Sequence, residues 1–132
     1  MPAKNDLPAV FERLKEIFAP YEKKMVVAQN TDKMYVLNTR YLLKKNYPLM
    51  FGGARLGKNY VSYYLMSIYT TPDEVKKMSP ELKKRMQGKS CFNFTEIDEK
   101  LFKELATLTK AGAKKFSDEK YVEQLRQMQA RP

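Results

Sequence analysis

From Met25 to Tyr69 the apolar residues of this chain come in short β-prone runs; before and beyond that stretch they recur every three or four positions. A strand presents side chains with period two and a helix with period 3.6, so the two patterns call for different regular structures. Residues 25–28, 34–37, 47–56 and 60–69 read as four strands. Asn30-Thr31-Asp32 and Gly57-Lys58-Asn59 supply turn chemistry between neighbours. Before them, Asp6 and Pro8 open a helix whose Val10, Leu14, Ile17 and Phe18 share one face, and Pro20 stops it. After Tyr69, Thr71-Pro72-Asp73-Glu74 is a capping box and Ser79-Pro80-Glu81 opens a second short helix that Gly88 ends. Residues 91–94 form a closing strand. Leu101, Leu105 and Leu108 mark an amphipathic helix weakened at Gly112, and Ser117 caps a last helix carrying Tyr121, Val122, Leu125 and Met128. Strands in series flanked by helices imply α+β, with an antiparallel sheet of about five strands packed by N- and C-terminal helices. Both faces of the fourth strand are apolar or aromatic, which favours a strand covered on both sides over one with an open binding face.

At 132 residues the chain is expected to form a single domain over 1–132 with a real core. It has no His, no Trp and one Cys, which excludes a Ser-His-Asp triad, a Cys-His dyad and a zinc site of paired Cys or His. Cys91 cannot form an internal disulfide and reads as a small buried hydrophobe; with no signal-like start and no long apolar run, a cytoplasmic protein with no membrane partner is expected. No spacing of Asp, Glu, Lys, Tyr or Ser singles out a catalytic group, and none requires a cofactor.

The run Asn59-Tyr60-Val61-Ser62-Tyr63-Tyr64-Leu65-Met66, followed by Ser79-Pro80-Glu81-Leu82-Lys83-Lys84-Arg85-Met86-Gln87-Gly88-Lys89-Ser90-Cys91-Phe92-Asn93-Phe94, resembles the YdhG-like domain-of-unknown-function family of small bacterial proteins. The likeness covers residues 47–113, and 88–94 is its most specific part. It implies a frataxin-like α+β sandwich with a family core over about 7–115, leaving 117–129 as a C-terminal helical extension. Some members of that family are linked to intracellular iron delivery. The family offers no catalytic residues to carry over.

Iron would need clustered carboxylates. Glu12, Glu16 and Glu22 form one weak group and Asp98, Glu99 and Glu104 another, but lysines and Arg13 interleave both, so an iron-chaperone-like role is disfavoured. Gly52 to Asn59 nearly spells a P-loop. Asn59 replaces the Mg²⁺-binding hydroxyl and a strand follows instead of a helix, so the glycines mark close backbone approach and a hairpin.

The net charge is +10, unevenly spread. Residues 21–60 carry Lys23, Lys24, Lys33, Arg40, Lys44, Lys45, Arg55 and Lys58 against Glu22 and Asp32, a net +6. Tyrosines interleave with them. Cations for phosphates and rings for stacking suit an anionic small molecule or single-stranded nucleic acid. The leading expectation is a non-enzymatic binder of an anionic ligand, monomeric or homodimeric, with single-stranded nucleic acid as the alternative. Tyr47 and Tyr64 are its candidate aromatic platforms. Lys58 at the hairpin and Lys83, Lys84, Arg85 and Lys89 around the short helix are its candidate cations.

Overall fold

Asp6 sets where the first helix begins: its carboxylate accepts a hydrogen bond from the Ala9 amide at 3.4 Å, and α1 runs Leu7–Phe18. Val10, Phe11, Leu14 and Phe18 fall on one face of it and are buried. A 3-10 turn, Ala19–Tyr21, then carries Pro20. The computed structural model describes residues 6–69, 72–88 and 90–130.

Five strands follow within these residues: β1 Val26–Asn30, β2 Met34–Lys44, β3 Tyr47–Leu56, β4 Val61–Leu65 and β5 Cys91–Phe94. They pair antiparallel in the order β1-β2-β3-β4-β5, so every neighbour in sequence is a neighbour in space. The turn before β2 is closed by the Thr31 hydroxyl, which accepts from the Lys33 and Met34 amides at 3.2 and 3.0 Å. At the β2–β3 turn Asn46 takes a left-handed φ of 61°, a conformation Asn tolerates. Between β4 and β5, among the described residues, lie three short helices, α2 Met66–Tyr69, α3 Pro72–Lys76 and α4 Pro80–Lys83. The described residues end in α5 Glu99–Phe116 and α6 Glu119–Ala130. The architecture is α+β, with helices at both termini and a five-stranded antiparallel sheet.

The core lies between α1, α5 and one face of the sheet. Tyr35, Leu37, Ala54, Val61, Tyr63, Leu65 and Phe92 point into it and are fully buried. The Phe18 ring stacks on Tyr63 at 4.7 Å and lies 5.8 Å from Tyr35, with Phe51 edge-on at 5.9 Å. Each such pair adds roughly 0.5–1.5 kcal/mol beyond the area it buries. Gly52 makes this packing feasible: a Cβ there would meet the Tyr64 carbonyl oxygen at 2.5 Å and the Phe18 ring at 2.8 Å. The register slips next to it, between Leu37 and Asn38, so the glycine pair marks both close approach and a bulge.

Several expectations are corrected. The fourth strand is five residues long, because residues 66–69 turn into α2 and bury Ser67 and Ile68. Gly112 makes room for that turn: it lies within α5, which continues through it to Phe116, and a Cβ there would come within 2.8 Å of the Ser67 Cβ. It is therefore a packing position and not a helix end. The second strand runs on from Leu37 to Lys44, its polar stretch held by the Thr39 hydroxyl donating to the Leu49 carbonyl at 2.9 Å. Ser117 closes α5 instead of opening α6, with its hydroxyl donating to the Ala113 carbonyl at 2.8 Å. Gly88 takes a φ of 78° but stands in the turn leading to β5, beyond the end of α4. Thr71 of the expected capping box and the Met128 side chain lie outside what the structure describes.

Candidate functional site

The two faces of β4 have different surroundings. Val61, Tyr63 and Leu65 are sealed in the core, whereas Ser62 and Tyr64 point the other way. The expectation of a strand covered on both sides is met only in part: Ser62 is buried on that second face as well, and Tyr64 is half-buried. Helical packing reaches one face, and the other lines an open concavity of about 560 Å³. Antiparallel pairing sets residues of three strands in rows across that face: Arg55, Ser62 and Asn93 in one, Gly53, Tyr64 and Cys91 in the next. The β3–β4 turn adds Gly57, Lys58, Asn59 and Tyr60 at the same end.

Hydrogen bonds hold the middle row. The Ser62 hydroxyl donates to Asn93 Oδ1 at 2.7 Å, and the Cys91 thiol approaches the same oxygen at 3.6 Å. With that oxygen engaged, the Asn93 amide N–H groups are left to donate. Burial pushes the Cys91 thiol above its ordinary pKa, and the Ser62 hydroxyl acts in the opposite direction. The thiol is therefore mostly protonated at neutral pH, a poor nucleophile and a weak metal ligand. Among the described residues, Arg55 and Lys58 make no ion pair. No carboxylate appears among the lining residues, and the concavity presents donors and cations with almost no competing negative charge.

The structure brings together only part of the expected set. Lys58 and Tyr64 both line the concavity. Tyr47 is 63% exposed but opens the ten-residue β3, whose far end carries Leu56 roughly 30 Å away at strand rise. Lys83 and Lys84 are exposed on and just after α4, and neither they nor Arg85 line the concavity. It is the backbone of 85–87 that runs beside β5: the Asn93 amide donates to the Arg85 carbonyl and the Gln87 amide to the Cys91 carbonyl, both at 2.8 Å. Lys89 lies outside the described residues. Arg55, Tyr60, Ser62, Gln87 and Asn93 were missed from sequence. Period-two spacing offered a signal for three of them, since Tyr60, Ser62 and Tyr64 alternate from the turn into β4, as Cys91 and Asn93 do along β5. A second signal is charge: from Lys33 to Pro72 the sequence contains no Asp or Glu.

The acidic groups have structural work elsewhere. Glu22 accepts from the Tyr35 hydroxyl at 2.6 Å, and Asp98 caps α5 through the Leu101 amide at 3.1 Å. Glu104 accepts from the Ser79 amide and hydroxyl at 2.8 and 2.7 Å, joining α5 to the start of α4. Arg13 holds Glu16 at 2.8 Å and Glu99 as well, tying α1 to α5. Among the described residues no three His, Cys, Asp or Glu side chains are placed to hold a metal ion. Nor, among them, is any helix long and apolar enough to cross a membrane. No family model, curated protein or solved structure matches the chain.

Proposed function

We propose that this chain is a cytoplasmic, non-enzymatic binding protein whose ligand is an anion held in the concavity on the open sheet face. One observation carries the reading: the lining joins Arg55 and Lys58, which make no ion pair among the described residues, to donor side chains with no carboxylate among them. An anion entering such a site gains from both charges and from N–H and O–H donors, and meets no like-charge repulsion. The expected likeness to the YdhG-like family is compatible with this reading and adds nothing to it. Iron delivery is the weaker proposal, because the carboxylates it would use are engaged in hydrogen bonds, caps and ion pairs.

Single-stranded nucleic acid is the second reading, favoured by the carboxylate-free run from Lys33 to Pro72 that supplies β2, β3 and β4. A continuous strand would need cations along the whole sheet.

The test is an amide-resolved NMR titration with pyrophosphate. Resonances of Ser62, Tyr64 and Asn93 are expected to move. The paired reversal Arg55→Glu, Lys58→Glu abolishes the response, whereas Lys83→Glu, Lys84→Glu leaves it nearly intact. Equal loss in both pairs would mean that net charge alone is being read, and would overturn the site.

A further inference from the structure

The lining of the concavity is ordered along β4, and this order deepens the anion-binding reading, on which the inference rests. At one end stands the half-buried Tyr64 ring, in the row with Gly53 and Cys91. Gly53 carries no side chain, so nothing from β3 stands across from that ring. The next outward-facing row, about 7 Å further along at strand rise, holds the hydrogen-bonding pair Ser62 and Asn93. Arg55 flanks that row from β3, and Lys58 stands beyond it in the turn. Ring, hydroxyl-and-amide pair and cations thus lie in two adjacent rows across β3, β4 and β5 and in the turn past them, with Arg55 level with Ser62 and Lys58 beyond it.

We infer that the concavity takes one nucleotide unit, with its base against Tyr64, its sugar hydroxyls over Ser62 and Asn93, and its phosphate on Arg55 and Lys58. A nucleotide carries a planar ring, a polyhydroxyl middle and an anionic end in that same order. A bare anion would use only the cationic end and leave Tyr64 without a role. Base stacking on an aromatic side chain is tolerant of sequence, which suits a site with few groups to read a base edge. Tyr60, 44% exposed beside Lys58, flanks the phosphate end. The unit has two sources with the same chemistry, a free nucleoside 5′-phosphate or one residue of a single strand.

Three probes test this on the full chain by NMR titration: adenosine 5′-monophosphate, ribose 5-phosphate and inorganic phosphate. The expected result is that adenosine monophosphate moves the amides of Ser62, Tyr64 and Asn93 and binds at least about tenfold tighter than ribose 5-phosphate. Tyr64→Leu removes that advantage and leaves ribose 5-phosphate affinity unchanged, while Tyr64→Phe, which keeps the ring, retains it. If the nucleotide and the sugar phosphate bind equally, the nucleotide assignment is wrong and the anion site stands. If none of the three moves the lining residues, the anion site itself is wrong. A short oligo(dA) separates the sources once the nucleotide binds. Tighter binding than the monophosphate, with a steeper dependence on log[salt], assigns the unit to a single strand; no gain assigns it to the free nucleotide.

Discussion

The Tyr63 hydroxyl lies 2.5 Å from the Thr109 hydroxyl, deep in the core, and joins the middle of the sheet to α5. Both residues are fully buried, so each hydroxyl is the other's replacement for water. Tyr63 also stacks on Phe18 of α1. A single side chain thus ties β4 to the two helices that cover the sheet.

Removing one partner of this pair leaves the other stranded. Tyr63→Phe is expected to cost about 1–3 kcal/mol, because the Thr109 hydroxyl loses its partner in a dry site. Adding Thr109→Val should recover part of that loss, since the double variant has no orphaned hydroxyl. Urea denaturation of the two single variants and the double variant gives the coupling energy directly. Additive losses would show that the pair contributes nothing beyond packing.

The same tyrosine makes the fold sensitive to alkali. Burial holds the Tyr63 phenol well above its ordinary pKa, and burial together with the Glu22 carboxylate does the same for Tyr35. In the unfolded chain these phenols ionise near pH 10, so above that pH the unfolded state sheds protons that the folded state keeps. Their stabilisation is complete below about pH 10 and declines above it, by up to about 1.4 kcal/mol per pH unit for each phenol. Urea midpoints taken from about pH 8 to about pH 11 should fall, and Tyr63→Phe should fall less steeply. Parallel curves would contradict the assignment.

Two glycines should respond differently to a methyl group. At Gly52 the new Cβ collides with the Tyr64 carbonyl and with Phe18, so Gly52→Ala is expected to cost about 1–3 kcal/mol or to prevent folding. Gly88 has nothing within 4 Å of its Cβ position, and only its φ of 78° resists substitution. Gly88→Ala should cost about 1 kcal/mol and Gly88→Asn less, because Asn accepts left-handed backbone. Thermal melts of the three variants check the order.

Cys91 should behave as a protected thiol. With its pKa raised by burial, alkylation by iodoacetamide at neutral pH is expected to be slower than that of free glutathione and to quicken as the pH rises. A ligand seated over Ser62 and Asn93 should slow it further. Mass spectrometry of timed samples reads the rate, and a rate above that of glutathione would mean an activated thiol.

Much of the fold is legible in the residues themselves. Asp6 with Pro8, Ser79 with Pro80, and the Leu101-Leu105-Leu108 repeat declare helices, because caps and apolar spacing act within one or two turns of chain. The limits of β3 and β5 follow from β-prone runs bounded by turn residues. The end of β4 was not legible: Met66-Ser67-Ile68-Tyr69 is as β-prone as what precedes it, and the helical turn it forms packs against Gly112 of α5, a contact only the tertiary structure shows. Nor was the choice between one open sheet face and two covered ones, since Ser62 and Tyr64 alternate with core residues whichever face the helices take. Lys58 and Tyr64 were visible as a cation and a ring. What drew Arg55, Ser62 and Asn93 into one row beside them was strand pairing of β4 with β3 on one side and β5 on the other, the latter joining Ser62 to Asn93 31 positions away. Local chemistry thus determines the elements, while the site depends on register, a property of how those elements pair.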